Sequence, residues 1–220
     1  MNCCRARAGI EEQFGADAAR DELERYRRDG LRPTTRALID AIRGESAGVQ
    51  GGDVLDIGGG VGGASHALLE RGAARAVHVD LSPAFLDAAR EEAGRRGLAD
   101  RIRFVDADFV AAADGVPSAD VVILDRVICC YPEMELLVER SAERARRIWG
   151  AVYPRDRWPI RAAARLANAW LTLRRSSFRV FVHSPRAIDA TLRMAGLERG
   201  RVQRTWVWEV VVYERRGLRS

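Results

Sequence analysis

The sequence contains no lysine: all 36 of its strongly basic side chains are arginine. Exclusive arginine reflects genome composition rather than a function. The arginines alternate with acids in runs such as RDELERYRRDG and ERSAERARR, and the net charge is only +5. That pattern belongs to solvated helix faces and argues against a stripe that tracks nucleic acid. No apolar run approaches bilayer length, which excludes a membrane-spanning helix. The opening segment, MNCCRARAGIEEQFG, has no apolar signal core, so a soluble cytoplasmic protein is expected. Cysteine is scarce: the four residues form two vicinal pairs, Cys3-Cys4 and Cys129-Cys130. Neither pair has the CxxC spacing of zinc or redox sites, so no metal centre is expected and free thiols are. Internal repeats and low-complexity segments are also missing.

What is present is a globular chain of 220 residues, 47% hydrophobic, long enough for a full core. Two helices open it, ADAARDELERYRRDG and TTRALIDAIRG, each closed by glycine. The strand VLDIG, a glycine loop and the helix ASHALLERG follow, then the strand AVHVD. The helix SPAFLDAAREEAGRRG has Ser82 as its N-cap and Pro83 in its first turn. RIRFVDAD and DVVILD read as strands, EMELLVERSAERARR as a helix and IWGAVYP as a fifth strand. Short apolar strands alternating with helices predict an α/β fold with a doubly wound parallel sheet and a ligand site at the strands' carboxyl ends. The remainder predicts two further helical regions, DRWPIRAAARLANAWLTLRR and SPRAIDATLRMAGL, and two closing strands within RVQRTWVWEVVVYER.

The segment VLDIGGGVGG decides the chemistry. Gly58, Gly60 and Gly63 satisfy G-x-G-x-x-G, which suits a dinucleotide. Five glycines in the six residues 58–63 are too costly in conformational entropy for a mere scaffold. Asp56, however, stands two residues before the first glycine. A carboxylate about 4 Å from a phosphate would cost roughly 4 kcal/mol at an effective dielectric near 20. S-adenosylmethionine (SAM) carries a sulfonium and an ammonium and no phosphate, so an acid there helps. Asp80 ends the second strand, placed to accept the ribose hydroxyls. Asp108 and Phe109, after the third strand, suit the adenine amino group and ring.

These residues occur in ordered motifs, VLDIGGGVG, HVDLS, DADF and DVVILDRV, between Asp53 and Asp125. In that order they resemble the class I SAM-dependent methyltransferases, with Gly59 where many members carry cysteine. The resemblance implies a Rossmann-like, mostly parallel seven-stranded sheet ending in an antiparallel strand pair. It implies an N-terminal helical cap, residues 1–45, and a SAM-binding domain, 46–220, with a helical insert at about 156–182. The implied cofactor residues are Asp56, Gly58, Gly59, Gly60, Gly62, Asp80, Leu81, Asp108, Phe109 and Asp125, with S-adenosylhomocysteine as the product. The layout after the fifth strand also looks like that of magnesium-protoporphyrin-type methyltransferases.

The expected acceptor is a small or medium-sized organic molecule with an oxygen, nitrogen or carbon nucleophile. Tyr131, Tyr153, Arg155, Trp170 and Arg179 are the candidate acceptor pocket, with an arginine to pair a carboxylate. His183, at a helix start after the insert, is the candidate general base; a surface or capping histidine reads equally well. His78 reads as core and His66 as packed or solvated. Phe14 and Tyr26 are expected to shield the cofactor. Cys129-Cys130 read as buried thiols, or as ligands for a soft metalloid that Cys3-Cys4 would join. The apolar stripe Trp158, Leu166, Trp170 and Leu173, beside Arg157, Arg161 and Arg165, fits a lid or a membrane-facing element. Rival readings are a nucleic-acid methyltransferase, a NAD-dependent oxidoreductase and a non-catalytic SAM-binding protein. Against the first, the fourth strand ends in DRVICCYP rather than [DN]-P-P-[FY].

Overall fold

The computed structural model describes Gly9 and residues 12–43 and 49–217; Cys3 and Cys4 lie outside the described residues. Helix α1 spans Ala16–Asp29 and α2 Pro33–Arg43. Then follow β1 (Asp53–Ile57), α3 (Gly63–Glu70), β2 (Arg75–Asp80), α4 (Pro83–Arg95) and β3 (Ile102–Asp106). A one-turn helix α5 (Phe109–Ala112) leads to β4 (Ala119–Asp125), α6 (Met134–Arg144) and β5 (Ala145–Pro154). The chain closes with α7 (Trp158–Leu173), α8 (Pro185–Met194), β6 (Leu197–Arg204) and β7 (Trp208–Arg215). Among the described residues no helix is long and apolar enough to cross a membrane.

The strands form one mixed sheet of seven, in the order β3-β2-β1-β4-β5-β7-β6. The pairings from β3 to β5 are parallel, and β7 runs antiparallel to both β5 and β6. Successive residues of a strand face opposite sides of the sheet, and each side has its own core. Leu55 and Ile57 join Trp149, Leu137, Val138 and Ile188 on one side. Val54 joins Leu38, Ile42, Leu68 and Ile123 on the other. Gly150 lets α2 lie close on β5, because a Cβ there would stand 2.9 Å from Leu38 Cδ1.

Two boundaries differ from the sequence expectation: β6 starts at Leu197, inside the helix predicted over residues 184–197, and the helix before β5 is shorter than expected. The helix predicted over residues 133–147 stops at Arg144, and Ala145–Arg147 begin β5. Arg146 there reaches across the sheet to Asp120 at 3.0 Å and Asp53 at 3.1 Å. Cross-strand pairing with β4 thus overrides a local preference for helix.

Strand order reverses beside β1, between β1 and β4, and a crevice opens there at the carboxyl ends of the strands. Helix α1 lies over it. Its Ala19, Leu23 and Tyr26 pack with Val61 of the glycine loop and with Phe85 and Ala88 of α4. Arg27 fixes α1 to α4 through Glu92 at 2.8 Å and Glu91 at 2.7 Å.

Candidate active site

A cavity of about 420 Å³ fills the crevice, within the size range of small-molecule sites. Its floor is the turn from β1 into α3. Gly58, Gly60 and Gly62 all have positive φ, at 62°, 58° and 82°, which only glycine adopts at low cost. A Cβ on Gly59 would fall 2.4 Å from the His78 ring and 2.8 Å from Asp56 Cγ, and one on Gly58 would fall 2.5 Å from Val127. The loop is therefore packed against His78, Asp56 and Val127 too closely to admit a side chain at either position. Gly58, Gly59 and Gly60 line the cavity. Gly62 lies behind it as the N-cap of α3, where a Cβ would meet the His66 ring at 2.8 Å.

Five carboxylates border the cavity: Glu22 on α1, and Asp56, Asp80, Asp108 and Asp125 at the strand ends. The fully buried Asp56 accepts hydrogen bonds at Oδ2 from the Ser65 amide (3.2 Å) and the Ser65 hydroxyl (2.7 Å), and so satisfies a first-turn amide of α3. Its Oδ1 is buried with no hydrogen-bond partner among the described residues. Burial pushes the Asp56 carboxyl up to about 6, against the lowering effect of Ser65. Asp80 accepts from the Gly60 amide and the Ser82 amide, each at 2.9 Å, and so holds the loop closed. Burial also raises its pKa and lowers that of neighbouring His78.

Asp108 caps α5 through the Val110 amide at 3.0 Å, and the Tyr131 hydroxyl donates to its Oδ1 at 3.2 Å. Asp125 accepts from the Thr35 hydroxyl and, at 3.3 Å, from Arg126. Arg126 adopts φ 62°, a left-handed conformation rare for a side chain of this kind. Leu81, Phe109, Phe14, Tyr26 and Cys130 complete much of the wall. Phe14 meets Phe85 edge-on at 5.8 Å, and Tyr26 stacks on His66 at 6.1 Å. Burial pushes the Tyr26 phenol up to about 12 and the His66 imidazole down to about 3, so both remain neutral near pH 7.

The structure removes five predicted residues from this wall. Tyr153 points into the sheet core and is 2% exposed. Arg155 donates from Nη1 to the Thr205 carbonyl at 2.9 Å, tying β5 to the β6–β7 turn. Trp170 stands out from α7 with Arg174 4.8 Å from its ring centroid. Arg179 donates to the carbonyls of Ser176 and Phe178 at 2.7 and 2.6 Å. His183, the candidate base, donates from Nε2 to the Tyr131 carbonyl at 3.0 Å, and burial lowers its pKa. It braces the turn before α6 from outside the cavity. Of the acceptor set only Tyr131 lines the wall.

Other lining residues escaped the sequence reading. Arg25 and Arg32 lie on the wall and share Glu22: Arg25 Nη2 is 2.9 Å from Oε1, and Arg32 Nε is 3.2 Å from it. Burial raises the Glu22 pKa, but the two arginines outweigh it and the net shift is downward. Thr35 had a readable signal. It occupies the same helical stripe as Leu38, Ile39 and Ile42 and is 4% exposed, so a hydroxyl there needs a buried partner. The partner, Asp125, is 90 residues away. Cys130 lines the cavity and its sulfur lies 3.8 Å from that of Cys129; both thiols are free.

Residues 54–148 match the methyltransferase-domain family. Among curated proteins, the ribosomal protein L11 methyltransferase of Yersinia pseudotuberculosis is 32% identical over 109 residues, 50% of this chain and 36% of that protein. The Escherichia coli counterpart is 36% identical over 73 residues, 33% of this chain and 24% of that protein. The chain thus spans about a third or less of the length of these curated relatives. Among solved structures, magnesium protoporphyrin IX methyltransferase from Synechocystis PCC 6803, with bound S-adenosylhomocysteine, superposes with a TM-score of 0.72 at 18% identity, covering 96% of this chain and 99% of that one. An O-methyltransferase family protein from Burkholderia thailandensis gives 0.69 at 19% identity, covering 94% and 62%. The glycine loop, the acids at four strand ends and this match together make residues 54–148 a methyltransferase domain, set in a chain with the fold of the SAM-dependent methyltransferases.

Proposed function

We propose that the protein transfers a methyl group from SAM to a small or medium-sized organic acceptor bearing an oxygen, nitrogen or carbon nucleophile. The observation that carries the cofactor reading is the set of four aspartates at the strand ends, with the buried Asp56 Oδ1 lacking a hydrogen-bond partner among the described residues. The strand-end acids beside the glycine loop would repel a pyrophosphate laid on it and attract a sulfonium and an ammonium. When bound, SAM supplies an electrophilic methyl on a good leaving sulfide.

The chain's own part is then mainly alignment and exclusion of water, worth up to about 7–11 kcal/mol. In this reading Gly58–Gly60 offer close backbone approach, and Asp56 provides negative potential for the cationic end. Asp80, already steadied by two amides, offers its remaining acceptor capacity to the ribose. Asp108 and Phe109 receive the adenine, with Tyr131 steadying Asp108. Arg25 and Arg32 place positive charge beside the cavity for a carboxylate, a task the sequence reading gave to Arg155 and Arg179. The helices of the N-terminal segment act as a cap, with Phe14 and Tyr26 shielding the site. With His183 outside, an acceptor that ionises readily or is a carboxylate suits this wall best.

The test is calorimetric titration with SAM, S-adenosylhomocysteine and NAD, followed by transfer of labelled methyl to a panel of aromatic acids, phenols and amines. Micromolar binding of the first two, none of NAD, and label on a small acceptor is the expected result. Binding of NAD alone overturns the cofactor reading. Label appearing only on ribosomal protein, in line with the curated relatives, overturns the acceptor class.

A further inference from the structure

Helix α7 touches the body of the protein along one narrow side. Ile160 and Leu171 are buried there. Asn168 joins that side by exchanging two hydrogen bonds with the Val180 backbone, at 2.8 and 2.9 Å. The opposite side is apolar and open: Trp158, Leu166, Trp170 and Leu173 are 80%, 73%, 54% and 83% exposed. At 3.6 residues per turn these four fall within an arc of about 120°. Arg161 and Arg165 border the arc on one side and Arg174 on the other, and the helix contains no Asp or Glu.

The patch continues beyond the helix. Trp206, in the β6–β7 turn, is 63% exposed and has the Arg157 guanidinium 5.9 Å from its ring centroid. No residue of α7 lines the cavity, so this face is not its roof.

We propose that this face docks on an anionic lipid surface. A convex helix that projects separate tryptophans and leucines, edged on both sides by arginine, matches a helix lying in the headgroup plane. Tryptophan sits well at that level, and arginine can extend its guanidinium to the phosphates while its stem stays among the chains. A protein partner would call for a groove or for acids interleaved with the arginines, and this face has neither. Among the described residues the one acid paired to it, Asp156, precedes the helix and binds Arg161. This inference goes beyond the methyltransferase reading and stands independently of it.

The test is flotation of the full chain with vesicles of phosphatidylcholine alone and of phosphatidylcholine with phosphatidylglycerol, at low and high salt. The chain is expected to float with the anionic vesicles at least tenfold better, with a blue shift of tryptophan emission and a loss of binding in high salt. The variant Trp158→Ser/Leu166→Gln/Leu173→Ser should abolish flotation while leaving SAM affinity unchanged, since exposed substitutions perturb folding little. Arg165→Gln and Arg174→Gln should each weaken binding about fivefold. Absence of flotation, or flotation unaffected by the triple variant, overturns the proposal. So does a lipid-free dimer that the triple variant dissociates, which would assign the face to a second copy of the chain.

Discussion

Replacing Asp56 by asparagine should stabilise the free protein at pH 8 while weakening its hold on SAM. Asp56 is wholly buried, and burial lifts its carboxyl from the ordinary 3.8 to about 6. That rise corresponds to about 3 kcal/mol. The folded pKa lies above the unfolded one, so the folded state binds the proton more tightly. The resulting stability is fully present below about pH 3.8 and is lost as pH rises through about 6. His78 Nδ1, 3.9 Å away, gives little relief because burial keeps that imidazole neutral, and Asp125 adds repulsion.

Asparagine keeps the shape and one oxygen for Ser65 but loses the charge-assisted character of those bonds, which offsets about 1 kcal/mol. A net gain of about 2 kcal/mol at pH 8 raises Tm by roughly 4–8 °C for a domain of this size. Thermal melts of both proteins from pH 4 to 8 should converge at the acid end. SAM titration at pH 8 should show at least a tenfold loss in the variant, and wild-type affinity should rise from pH 5 to 7. A variant that is less stable at pH 8, or a Tm difference that does not shrink towards pH 4, would refute the reasoning. The ionised carboxylate would then be a net support of the fold.

Two further substitutions probe the site. Gly59→Ala puts a Cβ 2.4 Å from the His78 ring. It should cost about 1–3 kcal/mol of stability and at least tenfold in SAM affinity, measured by denaturant melts and calorimetry; wild-type affinity in the variant would clear the loop of a binding role. His183→Ala should lose about 1 kcal/mol with its bond to Tyr131 yet leave the pH profile of kcat unchanged, whereas a hundredfold fall in kcat would return His183 to the chemistry.

The sequence by itself determined the sheet-and-helix alternation, the glycine loop and the acids at the strand ends. These are local signals: period-2 apolar strands, capped helices, and a turn whose left-handed residues must be glycine. Asp56, Asp80, Asp108, Phe109 and Asp125 all came to one cavity because parallel strands with right-handed crossovers put their carboxyl ends on one edge.

Only the tertiary structure decided what faces those acids from outside the sheet. Which side of β5 carries Tyr153, and whether Arg155, Arg179 and His183 turn towards the cavity or bond to nearby carbonyls, depends on packing between elements that are distant in sequence. The same holds for Arg25, Arg32 and Thr35, which reach the cavity because the first two helices fold across the crevice. It also holds for α7, whose apolar stripe fitted a lid or a membrane-facing element equally in the sequence. Ile160 and Leu171 sit on its other side and anchor it to the body, and their burial turns Trp158 and Leu173 out to solvent. A periodic pattern shows that a helix has an apolar face. Which of two faces is buried is fixed by the surface against which the helix packs.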